Sequence, residues 1–135
     1  MTTKHAAVWI DHNEAKIFFV DAETFDATTI HAPHHHVRRH PAGPAASEAS
    51  TKSHPAEEQR FFHEVATALA GAQEVLVVGP ASAKLEFMTH VKKHDHAVAL
   101  KVVGVEPADH PTDGQLVAYV RRYFRAADRM RGTAP

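Results

Sequence analysis

The chain has 135 residues, 44% of them hydrophobic and 23% charged, with a formal net charge of −1 and no cysteine. Those values fit one globular domain, residues 1–135, large enough to bury a real core; they exclude a wholly disordered chain, a disulfide scaffold and any thiolate metal site. The Met-Thr-Thr-Lys start has no apolar signal core, and no apolar run nears the roughly 20 residues that span a bilayer, so a cytoplasmic protein with no membrane partner is expected.

Ala6 to Ile10 is a continuous apolar run, the pattern of a strand buried on both faces. Asp11 to Glu14 supplies a turn, in which Asp11 is suited to hydrogen-bond its own backbone. Lys16 to Val20 resumes the apolar character, Asp21 to Glu23 breaks the chain, and Phe25 to His31 reads as a third strand. Such short spacers favour a meander of hairpins. Either the second or the third strand could form the sheet edge, which leaves the oligomeric state open.

Residues 33–54 then change character. Between Ile30 and Pro55 stand six of the thirteen histidines (His31, His34, His35, His36, His40 and His54), followed or interrupted by a Pro/Gly/Ala/Ser run. No apolar periodicity survives, so a long flexible loop is expected there, between the third strand and the first helix. Arg38, Arg39 and Lys52 face only Glu48, and each histidine adds charge as pH falls below about 6.5. The other basic segment is residues 111–135, where five arginines stand against two acids; residues 1–32 and 55–110 are each net −3.

Pro55 sits where a helix would begin, with Glu57 and Glu58 at the positive end of its dipole and Phe61, Phe62, Val65, Ala66 and Leu69 on one face. Gly71 ends it. Glu74 to Val78 has the character of a central parallel strand, and Gly79 to Ser82 turns into a second helix, with Leu85, Met88 and Val91 expected inward. A connection through His94 to Leu100 leads to a valine-rich strand over Lys101 to Glu106. Thr112 and Gln115 form a capping-box pattern before a last helix whose inward face is Leu116, Val117, Val120, Tyr123, Phe124 and Ala127. The order β-β-β-α-β-α-β-α predicts an α/β fold, a ribonuclease-H-like mixed sheet with helices on its faces.

Three chemistries deserve a test against this pattern. A two-metal nuclease, which the topology often houses, needs converging carboxylates. Asp11, Glu57 or Glu58, and Asp113 are the candidates, but the position after the fourth strand reads Gly79-Pro80 where another acid is wanted. Among the loop histidines, His34, His36, His40 and His54 (or His31) could ligate Zn²⁺, Ni²⁺ or Cu²⁺, although a loop without carboxylate help is a poorly organised site. His90, His94, His96 and His110 are read as capping or surface residues. For nucleic acid, Arg38, Arg39, His40 and Lys52 could contact phosphates with little base specificity. The Gly79–Lys84 turn lacks Walker spacing, so no nucleotide loop is supported.

Ala7–Val20, Val75–Phe87, Val102–Val105 and the run Asp109-His-Pro-Thr-Asp113-Gly-Gln-Leu-Val-Ala-Tyr119 together resemble the central domain of eukaryotic and archaeal class-1 peptide-chain release factors. The likeness is to its small bacterial form, often labelled translational machinery protein. In that domain the connection before the first long helix carries a Gly-Gly-Gln tip that enters the peptidyl-transferase centre. Here the histidine-rich loop takes its place and Gly43 is followed by Pro44-Ala45, so no catalytic residue carries over. The codon-reading and GTPase-binding domains of full release factors also need far more chain than this. The resemblance implies a non-enzymatic, translation-associated protein whose partner is the ribosome or structured RNA, with no required cofactor. A metal-binding protein using the loop histidines, or a metal-dependent nuclease, is the alternative.

Overall fold

The structure, a computed structural model, describes residues 4–33 and 55–130. Its elements are β1 (His5–Ile10), β2 (Glu14–Val20), β3 (Phe25–His31), α1 (Pro55–Ala68), β4 (Glu74–Gly79), α2 (Ala83–His94), α3 (His96–Ala99), β5 (Val102–Pro107) and α4 (Asp113–Met130). One five-stranded sheet has the order β3-β2-β1-β4-β5. β1–β2 and β2–β3 pair antiparallel, whereas β1–β4 and β4–β5 pair parallel. The expected α/β class with a mixed sheet is borne out, and the edge strands are β3 and β5.

Alternation along the central strands splits the core in two. Ala6, Val8, Ile10, Val75 and Val77 point to one face, where α1 and α2 cover them with Phe61, Phe62, Val65, Leu69, Phe87 and Val91. Ala7, Trp9, Leu76 and Val78 point to the other, where α4 supplies Leu116, Val117, Val120 and Phe124. Burying each valine, leucine, isoleucine or phenylalanine among them stabilises the fold by about 1.5–3 kcal/mol, so the central strands carry much of the stability. The predicted capping box closes as expected: Gln115 N donates to Thr112 Oγ1 (3.1 Å) and Thr112 N to Gln115 Oε1 (2.9 Å).

Two expectations need correction. On the second helix, Val91 is buried and Met88 packs against the core as expected, but Leu85 is 56% exposed, and Ala83, Phe87 and His90 are buried in addition. At about 100° per residue, Leu85 stands roughly 120° from Val91, whereas Phe87 and His90 lie to the other side of Val91's direction, so the buried stripe is centred nearer Phe87 and leaves Leu85 at its margin. The connection through His94 to Leu100 also contains the short helix α3.

β3 runs parallel to β1, so four strand ends (β1, β3, β4 and β5) and the starts of α1, α2 and α4 gather at one edge of the sheet. Ala32 N donates to Asn13 O (2.8 Å), tying the last residues before the histidine-rich segment to the β1–β2 turn. Residues 34–54 therefore join the body at this edge.

Candidate functional site

The residues assigned to phosphate contact (Arg38, Arg39, His40, Lys52) and to metal (His34, His36, His40, His54) lie outside the described residues. What the structure places is their root. Asp11, Glu14, Glu58 and Glu86 stand at the same edge, with His12 and His31 among them: His12 Nε2 lies 3.0 Å from Glu86 Oε1, and His31 Nδ1 3.7 Å from Glu14 Oε1. At this edge those carboxylates outnumber the lysines that stand with them, Lys16 and Lys84.

The nuclease carboxylates do not converge. Asp11 Oδ1 accepts from Asn13 N (2.8 Å) and Glu14 N (2.9 Å), the turn role. Asp113 starts α4, on the opposite face of the sheet from α1, and lies 3.9 Å from Lys16 Nζ. At the fourth-strand position a Cβ on Gly79 would meet the backbone oxygen of Ile10, so no acidic side chain fits there. The set Asp11, Glu57 or Glu58, and Asp113 does not form a two-metal site.

One carboxylate of that set does find company. Glu58 meets Glu86, the two lying with His12 in one cluster whose ligand atoms are within 4.8 Å of one another. Partial burial and the neighbouring Glu86 carboxylate push the Glu58 carboxyl above its ordinary range, against the opposing pull of His12. A raised folded-state pKa means that the folded chain holds this proton more tightly, so stability falls as pH rises through the window above 4.5. Glu58→Gln is expected to raise the melting temperature slightly at neutral pH and to make no difference below pH 4; thermal melts across pH read both ends.

On the α4 face, the Asp109–Tyr119 run is built into the sheet edge. Trp9 Nε1 donates to Asp109 O (2.8 Å), and the Trp9 and His110 rings lie 5.2 Å apart. Tyr119 OH donates to Glu106 Oε1 (2.7 Å); burial and that carboxylate push its hydroxyl up to about 12. Tyr119 and Tyr123 are half-buried and Phe124 is buried, so these aromatics pack and do not offer a stacking platform. Among the C-terminal arginines, Arg121 donates to Asp21 O and Thr24 O at the β2–β3 turn, the far end of the sheet. Arg122, Arg125 and Arg129 are exposed beyond it, so they do not extend a surface at the loop's root.

Between α1 and α2 lies a group in which His90, expected at a cap or on the surface, is buried on the apolar side of its helix, together with His63 and Asp95, for which nothing was expected. Asp95 Oδ1 is 2.9 Å from His63 Nδ1, and Asp95 Oδ2 is 2.7 Å from His90 Nε2. Burial opposes ionisation of Asp95, but hydrogen bonds from His63 and His90 outweigh it and hold the carboxyl below its ordinary range. The available signal was the position of His90 one turn from Phe87 and beside Val91, on the apolar face of its helix.

No family model and no curated protein matches the sequence. Solved structures do match the fold. The Pelota protein of Archaeoglobus fulgidus aligns with a TM-score of 0.61 at 14% identity, over 90% of this chain and 32% of that one. Pelota of Thermoplasma acidophilum gives 0.58 at 18% identity, over 88% and 32%. An archaeal translation termination factor, aRF1, gives 0.55 at 13% identity, over 96% and 39%. The fold is that of one portion of the release-factor-like proteins. The resemblance read from the sequence is borne out as a likeness of fold, and this chain spans only about a third of the lengths it matches.

Proposed function

We propose that this chain is a non-catalytic, translation-associated protein of ribonuclease-H-like fold, acting in the cytoplasm, that meets the ribosome or structured RNA through Arg38, Arg39, His40 and Lys52. The observation that carries this reading is where the basic segment is inserted. It joins the body between β3 and α1, in a fold shared with Pelota and an archaeal translation termination factor. The sheet order β3-β2-β1-β4-β5 supports the ribonuclease-H-like description. With carboxylates in excess around the root, most of the attraction for phosphate is expected from the segment's own cations. No Gly-Gly-Gln occurs in the chain and the nuclease carboxylates stay apart, which supports binding without chemistry.

Two fewer phosphate contacts should shrink the salt dependence of binding. Arg38→Ala combined with Arg39→Ala is expected to lower the slope of log K against log salt by roughly 1.4–1.8 and to weaken binding most at low salt. Fluorescence anisotropy with a structured ribosomal RNA fragment measures both. Unchanged affinity at low salt would contradict the proposal.

A further inference from the structure

We propose that His63, His90 and Asp95 form a binding site for a divalent first-row transition cation of the zinc class, separate from the histidine-rich segment. Two imidazole nitrogens and one carboxylate are the donor set of zinc sites that keep a position open for water or another ligand. Here the three come from two rigid helices and the residue that ends one of them. His63 stands on α1, His90 on α2, and Asp95 follows α2 directly.

The geometry is close to that of a bound ion. The donor atoms all lie within 4.8 Å of one another, with Asp95 oxygens 2.7–3.1 Å from the two nitrogens. A tetrahedron with metal bonds of 2.0–2.1 Å has edges of roughly 3.3 Å, so the oxygen–nitrogen edges need to widen by only a few tenths of an ångström to admit the cation. His90 is held in place for this: only 7% exposed, it packs 5.7 Å from the Phe62 ring. Its Nε2 points at Asp95, the nitrogen that would ligate.

Asp95 is also turned to this task. It sits at the start of α3, where an aspartate ordinarily accepts a hydrogen bond from the helix backbone, yet its side chain makes no such cap. Its carboxylate goes to the two histidines instead. The site is open on one side, since the His63 side chain is 64% exposed. A cation here would tie α1 to the end of α2.

The test uses the full chain, stripped with a chelator and titrated with Zn²⁺ by calorimetry and with Co²⁺ by visible absorption. One tight site per chain is expected, with the absorption of a tetrahedral Co²⁺ centre. It should persist when His31, His34, His35, His36, His40 and His54 are all changed to alanine. In His63→Ala it should weaken by at least about tenfold. Because His63 is exposed, that variant should keep the parent's circular dichroism; Asp95→Asn is the second probe and should weaken Zn²⁺ binding likewise. Parent-like Zn²⁺ affinity in folded His63→Ala, or loss of the one-to-one site with the loop histidines, would overturn the proposal.

Discussion

Phe87→Ala is expected to destabilise the protein by about 3–5 kcal/mol and to lower the melting temperature by roughly 10–20 °C. Phe87 is fully buried in α2 and meets Phe62 of α1 edge-on, with ring centroids 5.8 Å apart. Removing it opens a cavity between the two helices and the sheet, walled by residues on regular elements that can collapse only partly. Domains of this kind have about 5–15 kcal/mol in total, so the loss is a large fraction. The same substitution at Leu85, two residues away and 56% exposed, should cost roughly 0.5 kcal/mol or less. Denaturant titration of both variants reads the difference, and equal losses would mean that α2 faces the sheet with its other side.

Gly79→Ala is the second large effect, expected at about 2–3 kcal/mol or more. The last residue of β4 pairs with Pro107 of β5 and lies so close to the end of β1 that a Cβ would strike the backbone oxygen of Ile10. A side-chain obstacle could rotate away; a strand carbonyl held in the sheet cannot, so the β1–β4 pairing itself must give. Gly114 is the contrast. Nothing lies within 4 Å of its missing Cβ, and it stands in the first turn of α4, so Gly114→Ala should stabilise by up to about 1 kcal/mol. Opposite signs for the two glycines in thermal melts would separate close approach from chain entropy; a neutral Gly79→Ala would contradict the packing described.

The central sheet was legible because burial on both faces writes a continuous apolar run, as in Ala6–Ile10 and Val75–Val78, and alternation cannot mislead there. α4 was legible because Thr112 and Gln115 mark its start and Leu116, Val117, Val120 and Phe124 its inner face. The phase of α2 was hidden by chemistry: it exposes a leucine and buries a histidine, against the preference of both. Sites fared worse for a geometric reason. Asp11 and Asp113 each lie near a strand end, but which face of the sheet a helix covers decides whether their carboxylates meet, and spacing along the chain does not carry that. His63, His90 and Asp95 met for the same reason, brought together by helix packing over a separation of 32 residues.

The segment at residues 34–54 remains the centre of the functional reading, since carboxylates are in excess around its root. Co-sedimentation with ribosomes from native lysate across a salt series, comparing the parent with a chain lacking residues 33–53, tests it most directly. The account predicts association that weakens steeply with salt and is lost in the deleted chain while its circular dichroism stays that of the folded protein. Equal sedimentation of both chains, or of neither at low salt, would contradict it.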